Sequence, residues 1–262
     1  MTYPDLRDKV ALITGSTGGV GLETARKLAQ CGAIVVINGR SEENGQAALT
    51  TLRAISPHVH FALGDVGEYD QAVAVATKAA AVRGHIDMLV VAGVRGKVRP
   101  MPFAEIPGAD IEGALRSRLL ARLLPVHACV PHLRKHGGSV VLMGTDAARH
   151  ATAGESLIGA AGAAVIQVTK VLAKEFARWN IRVNGIALTL TSDTPSWDRI
   201  FKDEEAKFDA RLFSRVAEKF PWGRAPTAEE VARVAMLLLS QETAQVTGQT
   251  LSVNGGLSFG GW

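Results

Sequence analysis

The chain is 262 residues long, 47% hydrophobic and 21% charged, which is ordinary for a soluble globular protein with length enough to bury a substantial core. Its net charge of +4 comes from 29 basic and 25 acidic residues that are interspersed, with no basic arm and no aromatic stacking platform, so composition argues against nucleic-acid binding. Two cysteines, Cys31 and Cys129, make neither a disulfide framework nor a metal spacing, and no apolar run approaches the roughly 18 residues of a membrane span; the chain reads as cytoplasmic, with no metal site and no membrane partner.

From the N-terminus onward, short apolar runs alternate with helix-length amphipathic stretches. Runs at 10–13, 34–37, 58–63, 88–91, 140–143, 182–187 and 250–253 read as strands. The segments near 19–31, 41–55, 70–82, 110–134, 155–179 and 227–240 read as helices. Buried, non-alternating strands in strict alternation with helices predict an α/β fold. It is a single-domain Rossmann-type doubly wound parallel sheet of about seven strands with helices on both faces, spanning 1–262. One polar stretch breaks the rhythm between strand and penultimate helix, and 189–225 is read as a lid or substrate-loop insertion.

The first strand runs into a glycine turn, Thr14-Gly15-Ser16-Thr17-Gly18-Gly19-Val20-Gly21. In this setting Gly15 makes the tight turn, Gly19 lets the backbone approach a pyrophosphate, and Gly21 permits close helix packing. Ser16 and Thr17 add hydroxyl donors, and the helix N-terminus presents N–H groups and a positive dipole to phosphate. The spacing resembles that of the short-chain dehydrogenase/reductase family, and the resemblance runs the length of the chain. Asp65-Val66 is similar to the family's adenine-contacting pair, and Ala92-Gly93 matches half of its Asn-Asn-Ala-Gly. Ile181-Arg182-Val183-Asn184 and the run 246–256 resemble its later signatures. The resemblance implies a nicotinamide cofactor held by Gly15, Ser16, Thr17, Gly19, Val20, Gly21, Asp65, Val66, Ala92 and Gly93. The second strand ends without an acidic residue for a ribose 2′-hydroxyl. Arg40 stands there instead and can pair with a 2′-phosphate, which favours NADP(H) over NAD(H); a chain that binds neither is the alternative.

The catalytic half departs from the family. The resemblance implies a Ser, a Tyr and a Lys four residues beyond it, and an Asn on the fourth helix. Ungapped alignment from Leu172–Phe176 instead places Thr145, Ile158, Gly162 and Arg118 at those positions. Isoleucine cannot donate a proton and glycine cannot bind ribose. The only tyrosines, Tyr3 and Tyr69, lie outside that region, so no shift of register restores the donor. Thr145 and Arg118 are the remaining candidates for polarising a carbonyl. Asp146, Arg149, His150, Glu155 and Ser156 stand nearby, while Arg95, Lys97 and Arg99 could join Arg118 in holding a carboxylate, a phosphate or an acyl-CoA. Leu115, Leu119 and Leu123 on one helix and Leu157, Ala161, Val165 and Val168 on the next would suit a subunit interface. Three readings follow, for a chain expected in a homo-oligomer or in a hetero-oligomer with an active relative: an oxidoreductase with a non-standard site acting on a small carbonyl or alcohol; a catalytically inactive subunit assembled with an active relative; or a non-redox lyase or isomerase on the same scaffold.

Overall fold

All seven apolar runs form strands of one parallel sheet. These are β1 (Val10–Thr14), β2 (Ile34–Gly39), β3 (Val59–Leu63), β4 (Met88–Val91), β5 (Gly138–Thr145), β6 (Ile181–Leu188) and β7 (Thr250–Val253), in the spatial order β3-β2-β1-β4-β5-β6-β7. The computed structural model describes residues 3–93, 100–202 and 213–259. Successive strand residues point to opposite sheet faces, which sorts each strand between two cores. Ala11 and Ile13 pack on the side of α1 (Gly19–Gln30), α2 (Glu42–Arg53) and α7 (Ala228–Leu239). Leu12 packs on the side of α3 (Tyr69–Ala80), α4 (Gly108–Leu133) and α5 (Ser156–Phe176). A short helix, α6 (Pro195–Phe201), follows β6.

The strand order reverses between β1 and β4, where the chain leaves β3 at one edge and returns to the centre. In open α/β sheets ligands bind at such a switch point, beyond the C-terminal strand ends. The glycine turn after β1 and the Ala92-Gly93 turn after β4 meet there. A Cβ on Gly15 would lie 2.2 Å from the Cα of Gly93. The sheet thus delivers both turns to one crevice.

Three of the residues expected at a subunit interface prove to be core residues. Leu157, Ala161 and Val165 are buried inside this chain, with Val165 in the core beside Val126 and Cys129, and Leu119 packs against that core. Their four-residue spacing is the core-facing stripe of α5, while Leu115, Leu123 and Val168, expected at the same interface, stay partly exposed. With the turn after it, α5 forms a 24-residue helical run, Ser156–Trp179, that is long and apolar enough to cross a membrane by length and composition. Its buried residues pack against α4 and the sheet, and Val171 on its other face stays exposed.

Candidate active site

The cofactor end is built from backbone. Gly15 has φ +63° and Gly19 φ +55°, a region that side chains with a Cβ enter at a cost. A Cβ on Gly21 would sit 2.4 Å from the carbonyl oxygen of Gly15, so the helix can start this close to the turn only because the side chain is missing. Gly18 caps α1 without a side-chain hydrogen bond, leaving the first N–H groups of the helix pointing at the crevice. Gly15, Thr17, Gly19, Val20 and Gly21 all line it, as do Asp65, Val66, Ala92 and Gly93. Arg40 stands at its mouth, its side chain 58% exposed and its guanidinium 4.0 Å from the Asp65 carboxylate.

Ser16 is the exception. Its hydroxyl donates to the Ile13 carbonyl at 2.6 Å and accepts from the Asn38 N–H at 2.9 Å, and the residue is fully buried. It ties β1 to β2 beneath the turn and does not line the crevice. The expected phosphate donor is a structural brace, its hydroxyl engaged by the β1 and β2 backbone.

The same cleft, about 1380 Å³, continues without a break past Arg118, Thr145 and Ile158. The three aligned side chains thus share one cleft: one from α4, one from the end of β5, one from the first turns of α5. Tyr3 is buried in the core and Tyr69 opens α3, where its hydroxyl lies 3.2 Å from His127 Nδ1; neither lines the cleft. Thr145 accepts a hydrogen bond from the Ala147 N–H at 3.3 Å, which leaves its O–H proton available to a ligand oxygen.

Gly162, at the position of the family lysine, lies behind Thr145. A Cβ there would meet Thr145 Cγ2 at 2.6 Å and Ala148 Cβ at 2.9 Å, and one on Gly159 would meet the Ala147 carbonyl oxygen at 2.5 Å. The two glycines let α5 settle onto the 146–148 turn. That close seat leaves no room for a lysine without moving the helix or the turn.

Of the groups that could replace the missing ones, two are committed elsewhere. The buried Asp146 accepts from Ser252 (3.1 Å), Asn254 (2.5 Å) and Ser258 (2.8 Å). Arg149 donates to the Thr250 carbonyl at 2.6 Å and to Ser252 at 3.0 Å. Both fasten the C-terminal segment, whose Leu257 and Ser258 form part of the cleft wall. His150 and Glu155 remain in the wall itself, and the His150 Nε2 is buried with no hydrogen-bond partner among the described residues. Arg95, Lys97 and Arg99 lie outside the described residues.

Arg122 went unnoticed in the sequence, yet it sits one helical turn beyond Arg118 and on the same face, a spacing that would have revealed it. It is buried, lines the cleft, and donates to the Met143 carbonyl at 2.7 Å and the Arg118 carbonyl at 2.5 Å. Burial, reinforced by the Arg118 charge, pushes its guanidinium down to about 10. Burial also lowers Arg118, against the attraction of Glu155 and with the repulsion of Arg199 on α6. Burial raises the Glu155 carboxyl above its usual range, with the Arg118 charge opposing. The expected lid contributes Pro195, Trp197, Arg199, Phe213 and Lys219 to the same wall, whereas Trp222 is 75% exposed and takes no part.

Against known proteins, residues 15–258 match the family described as Enoyl-(Acyl carrier protein) reductase. The chain is 34% identical to human Dehydrogenase/reductase SDR family member 4, covering 98% of this chain and 90% of that one. It is 32% identical to the 3-oxoacyl-acyl-carrier-protein reductase of Chlamydia pneumoniae, over 96% and 97%. Among solved structures it superposes with a TM-score of 0.88 on an NADPH-bound short-chain oxidoreductase of Pseudomonas aeruginosa described as containing an atypical catalytic center. That match is 29% identical and covers 99% of both chains.

Proposed function

This chain belongs to the short-chain dehydrogenase/reductase family of oxidoreductases, and from that premise we propose that it is an NADP(H)-dependent carbonyl or alcohol oxidoreductase that works without the family's Tyr–Lys pair. The observation that carries this reading is the continuity of the cleft: the glycine turn and Arg40 at one end, Arg118 and Thr145 at the other, with no wall between them. Backbone N–H groups at the start of α1 would hold the pyrophosphate, Arg40 the 2′-phosphate and Asp65-Val66 the adenine side. When bound, the nicotinamide supplies the redox chemistry; Thr145 and Arg118 orient and polarise the substrate oxygen. The NADPH held by the Pseudomonas aeruginosa relative agrees with this assignment of the cofactor.

The substrate is anionic. Among the described residues Arg118, Arg122 and Arg199 face the catalytic end, against the carboxylates of Glu155 and of Asp146, the latter engaged by the C-terminal segment, and a low-dielectric cleft with that excess of cations favours a carboxylate or phosphate. Titration with NADPH tests the cofactor half: micromolar affinity followed by fluorescence supports it, and no binding at millimolar cofactor overturns it. A second reading, an inactive subunit of a mixed oligomer, draws on one observation, the filled seat behind Gly162 that excludes a lysine. Native purification with mass spectrometry separates the two: a co-purifying relative carrying Tyr and Lys favours the second reading, an active homo-oligomer the first.

A further inference from the structure

The cleft lacks the phenol that the family uses to exchange a proton, and the described ionisable groups in its wall can be sorted by position. Arg40 and Asp65 belong to the adenine end. Arginines hold their protons far above neutral pH. Asp146 is engaged by three donors from the C-terminal segment. Lys219 comes from the lid side. What remains at the catalytic end is His150, whose Nε2 is sealed from solvent, and Glu155.

Glu155 is the residue from which α5 starts: its carbonyl accepts from the Gly159 N–H at 2.7 Å. It stands three residues before Ile158, so both lie on one face of the first turn and both line the cleft. The group one turn ahead of the vacated donor position therefore looks onto the same space. Arg118 approaches from α4 and is the charge that acts on it, Arg199 on α6 in turn acts on Arg118, and His150 lines the same wall. We propose that Glu155 is the proton donor for carbonyl reduction, and the acceptor for alcohol oxidation, in place of the missing tyrosine. This rests on the oxidoreductase reading above.

The step balances without a further reactant. As the carbonyl carbon receives a hydride from the reduced nicotinamide, the carbonyl π pair moves to oxygen and takes the Glu155 proton. The products are the alcohol, the oxidised cofactor and a carboxylate that regains its proton from water. Burial that raises the carboxyl keeps the acid form available at higher pH, which a general acid requires.

The experiment uses the full chain, NADPH and two activated or simple carbonyls, the carboxylate-bearing ketone 4-oxopentanoate and the neutral 2,3-butanedione. Glu155→Gln should lower kcat by about 100-fold or more, the usual contribution of a general acid, and leave the NADPH Kd within about twofold. In the wild type the reduction rate should fall as pH rises through the raised carboxyl value, and that limb should vanish in Glu155→Gln. Independently of turnover, 13C NMR of side-chain-labelled glutamate should show one carboxyl, identified by its loss in Glu155→Gln, that titrates above 4.5. A wild type that reduces nothing overturns the oxidoreductase reading and this proposal with it. An active wild type whose rate and pH limb survive Glu155→Gln, or are lost in His150→Gln instead, overturns the proposal alone. So does an NMR titration at the ordinary glutamate value.

Discussion

The two ends of the cleft are built by different means. At the cofactor end the binding groups are backbone N–H donors fixed by glycines whose positions tolerate no Cβ. At the catalytic end they are side chains, and each can be exchanged without disturbing the strand or helix that carries it. A scaffold can therefore keep its nucleotide site and change its chemistry, because the first is written in chain geometry and the second in side-chain identity. Gly159 and Gly162 complicate the contrast. They are glycines at the catalytic end, and they close the space where a lysine would stand.

The comparison can be broken most decisively at Gly15. A valine there meets Gly93 backbone at 2.2 Å in a left-handed conformation, so Gly15→Val should weaken NADPH by at least about 100-fold in a fluorescence titration. Retained affinity would mean that the turn does not hold the cofactor. The catalytic end answers a converse test. Ile158→Tyr with Gly162→Lys restores the family residues by name but should lower stability by about 1–3 kcal/mol through overpacking against Thr145 and Ala148, without raising carbonyl reduction. Urea unfolding and an NADPH oxidation assay together check it; a gain in rate at unchanged stability would show that the seat is adaptable.

Smaller effects sharpen the same contrast. Arg40→Asp should weaken NADP(H) by about 10-fold or more, the scale of one charge-assisted hydrogen bond, and leave NAD(H) nearly unchanged. Equal changes would remove the 2′-phosphate from its account. Outside the cleft wall, Thr227 and Glu230 form a reciprocal cap at the start of α7, and Thr227→Ala should cost about 1 kcal/mol in chemical denaturation while sparing NADPH affinity. The Arg224 guanidinium and the Thr227 N–H hold Glu230 down at about 2. A depressed carboxyl stabilises the fold above its unfolded value of 4.5 and loses that contribution as pH falls toward 2, so the cost of Thr227→Ala should shrink across that window.

The sheet was legible in the sequence because its strands are apolar throughout and its helices amphipathic, so each element declares itself within a few residues. The glycine turn was legible for the same local reason. Ser16 was misread because a hydroxyl in a phosphate loop has two directions to point, and only the β1–β2 pairing decides which. For the α5 stripe of Leu157, Ala161 and Val165, periodicity reveals an apolar face but not that this chain's own core covers it. Arg122 was missed for want of a helical-face argument, and the roles of Asp146 and Arg149 depend on a C-terminal segment about a hundred residues away, beyond any local signal. The close seat of Gly162 on Thr145 is likewise a tertiary fact.

The most direct test follows the fate of the transferred hydrogen. The chain, purified to homogeneity and supplied with NADPH deuterated at nicotinamide C4, is offered neutral and carboxylate-bearing ketones, and the alcohols are weighed by mass spectrometry. The account predicts deuterium in the product from the chain alone, with carboxylate-bearing ketones preferred. Tight NADPH binding with no label transferred to any of them would contradict it, and would leave the cleft a nucleotide site without its reaction.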